Sequence, residues 1–240
     1  MPGVGPNMSA SQSELLAISI TEDLVPSTAS KCPSVTSIDF DGLLNPPLLL
    51  QDDPTECGGQ LWPGGMVLAT YLLQTKMTEL QGRTILELGA GSGLVGLALS
   101  LHHLQPSCIY LTDLPPILSL LKHNIALNPS RAPITAHVLE WGSCIPTQVP
   151  SCPDILLAAD CVYFEPAFPL LLRAMQEMIG TDTVCYFCFK KRRRADMSFV
   201  KMARKVFEVT DVEDDPDKKV WSREGIHLFK IRRKKQASKT

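Results

Sequence analysis

The chain has 240 residues, of which 45% are hydrophobic, and a formal net charge of −2. This length and apolar content allow one full-sized globular core and exclude a wholly disordered chain. No stretch approaches the roughly 18 uninterrupted apolar residues that a membrane-spanning helix needs. The start, MPGVGPNMSASQSELL, lacks the charged and apolar segments of a secretion signal, so we expect none.

The distribution of charges and cysteines narrows the class of protein. Residues 1–60 carry one basic and eight acidic residues, whereas residues 190–240 carry seventeen basic and eight acidic. This asymmetry fits an acidic or nucleic-acid partner for the basic end, or solvated faces alone. Among eight scattered cysteines only Cys185 and Cys188 form C-x-x-C, without a second pair for a zinc site. We expect core thiols there, no bound metal and a reducing, cytoplasmic setting.

The first predicted elements follow a polar tail. Residues 1–35 are rich in Ser, Pro and Thr without sustained periodicity, which predicts a disordered tail. One or two short strands come next, interrupted by Asn45-Pro46-Pro47, and a helix starts near Pro63. We expect residues 36–235 to form a single domain and residues 236–240 to form a C-terminal tail.

Strands and helices alternate from residue 83 onward. The predicted order is RTILELG (strand), GLVGLALSLHH (helix), CIYLTD (strand), PPILSLLKHNIALN (helix), ITAHVLEW (strand), PDILLAADCVY (strand), EPAFPLLLRAMQEMI (helix), TVCYFCFKKR (strand), ADMSFVKMARKVFE (helix) and GIHLFKIRR (strand). In the last helix, Phe199, Met202, Val206 and Phe207 share one side. The alternation predicts a doubly wound α/β sheet with a ligand over the carboxyl ends of its strands.

The segment ILELGAGSGLVGLALS contains a glycine-rich turn that admits two interpretations. Read from Gly91 it is the G-x-G-x-x-G of dinucleotide-binding folds, and read from Glu87 it is E-x-G-x-G-x-G. Both interpretations need glycines for a tight turn and close ligand approach. Both also need an acid at the end of the next strand to hold ribose hydroxyls, and Asp113 has that position.

Glu87 favours the second interpretation. A carboxylate at the strand end would repel a pyrophosphate but attract a cationic amino or sulfonium group. The loop resembles motif I of the seven-strand, S-adenosylmethionine-dependent methyltransferases, and this resemblance implies S-adenosylmethionine as the cofactor. A dehydrogenase would instead bind a nicotinamide cofactor.

Four further stretches narrow the resemblance. They are CGGQLWPGG before the glycine loop, EWGS after the third strand, AADCVYFEPAFPLL at the fourth strand, and FKKRRRADMSFVKMARKVFEV across the fifth strand and its helix. Over about residues 56 to 232 they are similar to the family-16 protein lysine methyltransferases, particularly its fungal members that modify translation elongation factor 1A. The resemblance implies a protein substrate, and we expect a monomer. With the loop, it implies cofactor contacts for Trp62, Glu87, Gly89, Ala90, Gly91, Gly93, Asp113, Trp141 and Ala159.

The same resemblance makes DCVY the D-x-x-Y element, with Asp160 and Tyr163 as catalytic residues. Methyl transfer needs a neutral amine in line with the sulfonium carbon, whereas free lysine, with a pKa of about 10.4, is protonated at neutral pH. An apolar slot beside a sulfonium lowers that pKa by desolvation and like charge. We expect Asp160 to capture and orient the ammonium and Tyr163 to form a wall of the slot.

Other functions stay open on the residues alone. Base methylases of this fold carry N-P-P-Y or D-P-P-Y where this chain has DCVY, but the basic run Lys190 to Arg194 is compatible with RNA contact. We interpret that run as a solvated face or as a dock for an acidic patch on a protein substrate. A methyltransferase fold retained only as a binding module would bind cofactor without transferring methyl.

Overall fold

A computed structural model describes residues 34–53, 57–103 and 105–235. The helices are α1 (Pro63–Thr75), α2 (Met77–Leu80), α3 (Leu94–Leu101), α4 (Leu118–Leu127), α5 (Phe168–Met178), α6 (Asp196–Val206) and α7 (Lys218–Arg223). The strands are β1 (Val35–Ile38), β2 (Leu48–Gln51), β3 (Thr84–Leu88), β4 (Cys108–Asp113), β5 (Ile134–Val138), β6 (Ile155–Ala159), β7 (Val184–Lys190), β8 (Phe207–Asp211) and β9 (Ile226–Arg233). Of the predicted N-terminal tail, residues 1–33 lie outside the described residues, as does the C-terminal tail from residue 236, whereas Val35 begins β1.

Strands β3 to β9 form one seven-stranded sheet in the order β5-β4-β3-β6-β7-β9-β8. The first five are parallel, whereas β9 runs antiparallel to both β7 and β8. The chain leaves β3 toward one edge and returns through β6 toward the other, so the sheet has its switch point between these two strands. Ligands bind at such a point, outside the carboxyl ends of the strands. The predicted doubly wound α/β fold is confirmed.

Two apolar layers cover the sheet because its central strands are apolar on both faces. Helices α1 and α3 pack on one face and α5 and α6 on the other. Each fully buried Leu, Phe or Met contributes about 1.5–3 kcal/mol relative to exposure. These side chains include Leu68, Leu72, Leu97, Leu111 and Leu157 in the first layer, and Leu156, Phe168, Met175, Phe187 and Phe199 in the second.

The C-terminal part of the sheet differs from the prediction. The last predicted helix ends at Val206, and Phe207 begins β8, a strand that the sequence pattern did not predict. Val206 is 36% exposed, whereas Phe207 is buried at 3%. Pairing of β8 with β9 decides this change, since tertiary contacts override local periodicity. The short helix α7 was also not predicted.

Cys185 and Cys188 lie on β7 and are both fully buried. Their spacing of three residues places them on opposite faces of the strand, and they belong to different apolar layers. Burial raises the pKa of both thiols. They are core thiols, as expected.

The hairpin of β1 and β2 is attached to α4 through two asparagine side chains. Asn124 accepts from the Gln51 amide (2.9 Å) and donates to the Gln51 carbonyl (3.0 Å). Asn128 does the same at Leu49 (2.9 and 2.7 Å). Asn124 and Asn128 are four residues apart, a rise of about 6 Å along a helix. Leu49 and Gln51 are two residues apart, about 6.6 Å along a strand, so the two pairs have matching spacings. Asn124 also donates to the Ser92 carbonyl (2.9 Å) in the glycine loop, which links the hairpin to the switch point.

No helix among the described residues is both long and apolar enough to span a membrane.

Candidate active site

The glycine loop joins the end of β3 to the start of α3. Gly89, Gly91 and Gly93 have φ values of +59°, +56° and +87°, which favour glycine. Gly91 is also required for steric reasons, because a Cβ there would lie 2.5 Å from the carbonyl oxygen of Gly58. The CGG turn that precedes α1 therefore closes directly over the loop.

Asp113 lies at the end of β4, next to this loop. Its Oδ2 accepts from the Gly91 amide (2.8 Å) and its Oδ1 accepts from the Leu114 amide (2.7 Å). The amide of Ala90 donates to the Thr112 carbonyl (3.0 Å), so the loop is bound to the end of β4. Burial raises the pKa of Asp113, and the two amide donors oppose that shift.

Glu87 lies beneath the loop and is only 2% exposed. Its Oε2 accepts from the amide of Gly96 (2.9 Å), in the first turn of α3. Burial raises the pKa of Glu87 to about 8, although the Gly96 amide acts in the opposite direction. The carboxyl group is therefore largely neutral at neutral pH. A cation nearby would favour its charged form.

Trp141, in the segment after β5, and Ala159, at the end of β6, flank the loop. A Cβ at Gly89 would lie 3.1 Å from Cζ2 of Trp141 and 3.0 Å from Sγ of Cys161, so the indole lies against the loop. Ala159 is the half-buried last residue of β6. The structure thus brings Glu87, the glycines, Asp113, Trp141 and Ala159 together at the switch point.

Asp160 follows β6 in a left-handed conformation with φ +50°. Such a conformation is uncommon for a residue with a Cβ and marks strain that the surroundings impose. Its side chain is 3% exposed, and its Oδ2 accepts from the Gly64 amide (2.5 Å) at the start of α1. A Cβ on Gly64 would lie 2.5 Å from that oxygen, so only glycine permits this approach. A helix N-terminus stabilises a carboxylate placed there.

The other carboxylate oxygen of Asp160 faces the segment after β7. It accepts from the Lys190 amide (2.9 Å) and from Nη1 of Arg192 (3.1 Å). The same guanidinium lies 4.8 Å from the ring centroid of Trp62, the residue that precedes α1. Asp160 is therefore already bound by a protein cation, and its contact with a substrate lysine stays a prediction.

Tyr163 is half-buried, and its backbone carbonyl accepts from Nη2 of Arg193. Arg193 also pairs with Asp196 (3.1 Å), which is 2% exposed. The sequence predicts a solvated face or a dock for an acidic patch at this basic run, but Arg192 and Arg193 pair with acids of this chain, with side chains 23% and 38% exposed. The sequence offered one signal, an acid three residues after Arg193, but nothing local placed that segment beside D-x-x-Y.

The family model described as lysine methyltransferase matches residues 45–206. The chain belongs to the lysine methyltransferase family. It is 33% identical to protein-lysine N-methyltransferase EFM6 of Saccharomyces cerevisiae, over 83% of this chain and 91% of that protein. It is 32% identical to protein N-lysine methyltransferase METTL21A of Mus musculus, over 73% and 78% of the two chains.

A solved structure supports the fold independently. The structure of P. horikoshii TYW2 in complex with MeSAdo superposes with a TM-score of 0.50 and covers 85% of this chain and 71% of that one. At 12% sequence identity this likeness shows the shared fold alone.

Membership in the family decides between the two interpretations of the glycine loop. The chain is an S-adenosylmethionine-dependent protein-lysine methyltransferase, and the dehydrogenase interpretation is wrong. The residues fit this cofactor, because the glycine loop leaves space for close approach, Asp113 ends the second strand, and an indole face lies beside Gly89. The predicted family, fold, activity and cofactor are confirmed. The individual residue roles stay predictions.

Proposed function

We propose that this enzyme methylates a lysine of translation elongation factor 1A, acting as a monomer in the cytoplasm. The observation that supports this substrate most strongly is the 33% identity that extends over 91% of EFM6. The AADCVYFEPAFPLL and FKKRRRADMSFVKMARKVFEV stretches, which resemble the fungal elongation-factor methyltransferases, add to it.

Within this proposal, the residues around the glycine loop bind the cofactor. Asp113 holds the ribose, Glu87 and the glycines hold the methionine end, and Trp141, Ala159 and Trp62 form apolar walls. When bound, S-adenosylmethionine supplies an electrophilic methyl group on a sulfonium. The role of the chain is to exclude water and to present a neutral amine in line with that group.

Asp160 and Tyr163 orient the lysine in this proposal. Their element follows β6 at the switch point, beside the end of β3 where the glycine loop begins. A lysine that enters here leaves water, and desolvation lowers its pKa, which favours the neutral amine that can accept a methyl group. Asp160 orients the ammonium as it arrives, and the ring of Tyr163 forms one wall of the slot.

The test is methyl transfer from labelled S-adenosylmethionine to purified elongation factor 1A and, separately, to an extract that lacks this enzyme. Modification of one lysine in elongation factor 1A, found by mass spectrometry, is the expected result. Label in a different protein would retain lysine methylation and reject this substrate. Label confined to RNA would reject the proposed site as well.

Two variants separate binding from transfer in the same assay. Asp113→Ala should weaken cofactor binding, whereas Asp160→Ala should abolish turnover and leave cofactor binding largely intact. Asp182→Ala is the matched control, since that acid is exposed and its only hydrogen bond among the described residues is to its neighbour Thr181. Unchanged turnover in Asp160→Ala would reject the role given to Asp160.

A further inference from the structure

We propose that Arg192 and Arg193 are positioning residues that hold the two ends of the D-x-x-Y element, with Asp196 as their common anchor. This inference rests on the proposed role of Asp160 and Tyr163 in presenting the lysine. By sequence, this basic run looks like a surface patch. The inference gives two of its residues the role of holding other residues of the same chain in place.

Arg192 holds the first end of the element. Its Nη1 donates to Oδ1 of Asp160 (3.1 Å) and to the Lys190 carbonyl (3.2 Å). Its guanidinium carbon also lies over the ring of Trp62, 4.8 Å from the ring centroid. Guanidinium is suited to this double contact because it is planar, permanently charged and less strongly hydrated than an ammonium. One side chain therefore joins the proposed substrate acid to a proposed cofactor wall.

Arg193 holds the second end. Its Nη2 donates to the backbone carbonyl of Tyr163 and pairs with Oδ1 of Asp196 at 3.1 Å. The contact is to the backbone, so it fixes where the chain of Tyr163 runs rather than one rotamer of its ring. The two arginines thus act on Asp160 and Tyr163 from the same short segment.

Asp196 fixes that segment. Its Oδ2 accepts from the backbone amides of Arg192 (2.7 Å) and Arg193 (2.8 Å), and its side chain is 2% exposed. Asp196 opens α6, whose N-terminus further stabilises its charge. The backbone of both arginines is consequently bound to the first residue of α6.

We call the contacts of Arg192, Arg193 and Asp196 with the D-x-x-Y element the clamp. The strained backbone of Asp160 explains why the clamp is needed. A non-glycine residue with φ +50° persists only when its surroundings over-determine it. Removal of Arg192 would leave a buried carboxylate bound by two backbone amides without a cation, and this weakens the restraint on its orientation toward the lysine path. A displacement of about 1 Å in an aligned site can reduce a rate about 100-fold.

The experiment compares Arg192→Ala, Arg193→Ala, Arg192→Lys and Arg193→Lys with Arg194→Ala and Lys191→Ala. The last two are matched controls, because both residues belong to the same basic run and are exposed. For each variant, calorimetry gives the S-adenosylmethionine Kd and binding stoichiometry, and kcat and KM are measured on the protein that the unchanged enzyme methylates. Expressing kcat per cofactor-binding site removes any effect of lost folded protein.

We expect kcat per site to fall about 100-fold in Arg192→Ala and Arg193→Ala. The controls should stay within about threefold of the unchanged enzyme. The cofactor Kd should rise in Arg192→Ala, which loses the contact with Trp62, and stay unchanged in Arg193→Ala. Arg192→Lys should recover part of kcat but not the Kd, since lysine restores the charge without the planar face.

Alanine variants of Arg192 and Arg193 with kcat per site equal to the controls would overturn the proposal. Equal losses in all four alanine variants would overturn it too, because they would indicate a docking surface.

Failure of the proposed function can be told apart from failure of this inference. If the proposed function is wrong, the unchanged enzyme itself transfers no methyl group to protein. In that case acrylamide quenching of Trp62 fluorescence, in a Trp141→Phe and Trp221→Phe background, tests the clamp without activity. Arg192→Ala should raise the quenching rate and Arg194→Ala should not, and equal rates would overturn the proposal.

Discussion

Glu87 couples the stability of the glycine loop to pH. Its carboxyl group is 2% exposed, and burial raises its pKa to about 8. In the unfolded chain a glutamate has a pKa of about 4.3. Between these two values the folded protein binds a proton that the unfolded chain does not, so the free energy of unfolding falls as pH rises.

The substitution Glu87→Gln should remove this pH dependence while keeping an acceptor for the Gly96 amide. The stability of the variant relative to the unchanged protein should therefore increase as pH rises from about 5 to about 8, by up to about 1.4 kcal/mol per pH unit. Thermal unfolding across this range measures the difference. Addition of S-adenosylmethionine should reduce it, since a nearby cation favours the charged carboxylate. Parallel Tm curves for the two proteins would contradict the prediction.

At the scale of elements, two side chains of the α4 segment bind the backbone of β2 on the edge where a further strand could pair. Asn124 and Asn128 present their amide groups to the backbone of β2 as a neighbouring strand would present peptide groups. Both asparagines are buried, so the backbone groups that they satisfy face protein on that side. Only Asn124 also reaches the glycine loop, through the Ser92 carbonyl.

Alanine substitutions should separate these two tasks. Asn128→Ala leaves the Leu49 amide and carbonyl without these partners and should lower the free energy of unfolding by about 2–4 kcal/mol. Asn124→Ala should lower it similarly and, in addition, raise the cofactor Kd, because the loop loses its contact at Ser92. Urea unfolding and calorimetry measure the two effects. His123→Ala, exposed on the same helix, is the control, and equal cofactor Kd values for the two asparagine variants would refute the separation.

At the scale of the whole molecule, the candidate site draws on segments from Gly58 to Arg192 that meet at the carboxyl edge of one sheet. The family match begins at residue 45, and β1 begins at Val35. Every group of the site described above lies at or after Gly58. The proposed domain of residues 36–235 therefore contains every residue assigned to cofactor and lysine.

A chain that starts at residue 34 should consequently keep the Tm, the cofactor Kd and the kcat of the full chain. Starting there retains Ser34, which donates from its amide and its hydroxyl to Asp52 (2.8 and 2.9 Å). Differential scanning calorimetry and the methyl-transfer assay compare the two proteins. A raised KM for the protein substrate alone would instead assign residues 1–33 to substrate docking.

The amino-acid sequence by itself determined the features that depend on local order. Apolar runs and their spacing predicted all six strands from β3 to β7 and β9, and the resemblance of the loop between Glu87 and Gly96 to motif I of the methyltransferases implied the cofactor. Asp113 and DCVY were found because each ends a predicted strand. These signals lie within a few residues of one another, where periodicity and backbone conformation act directly.

Only the tertiary structure decided the features that join distant segments. Arg192 meets Asp160 across 32 positions of sequence, and Asn128 meets Leu49 across 79. The strand β8 exists because β9 pairs with it, against a helical pattern that continues through Phe207. The sequence does not show which residue a charged or amide side chain will contact. Its burial and its role therefore depend on which strands lie side by side in the folded protein.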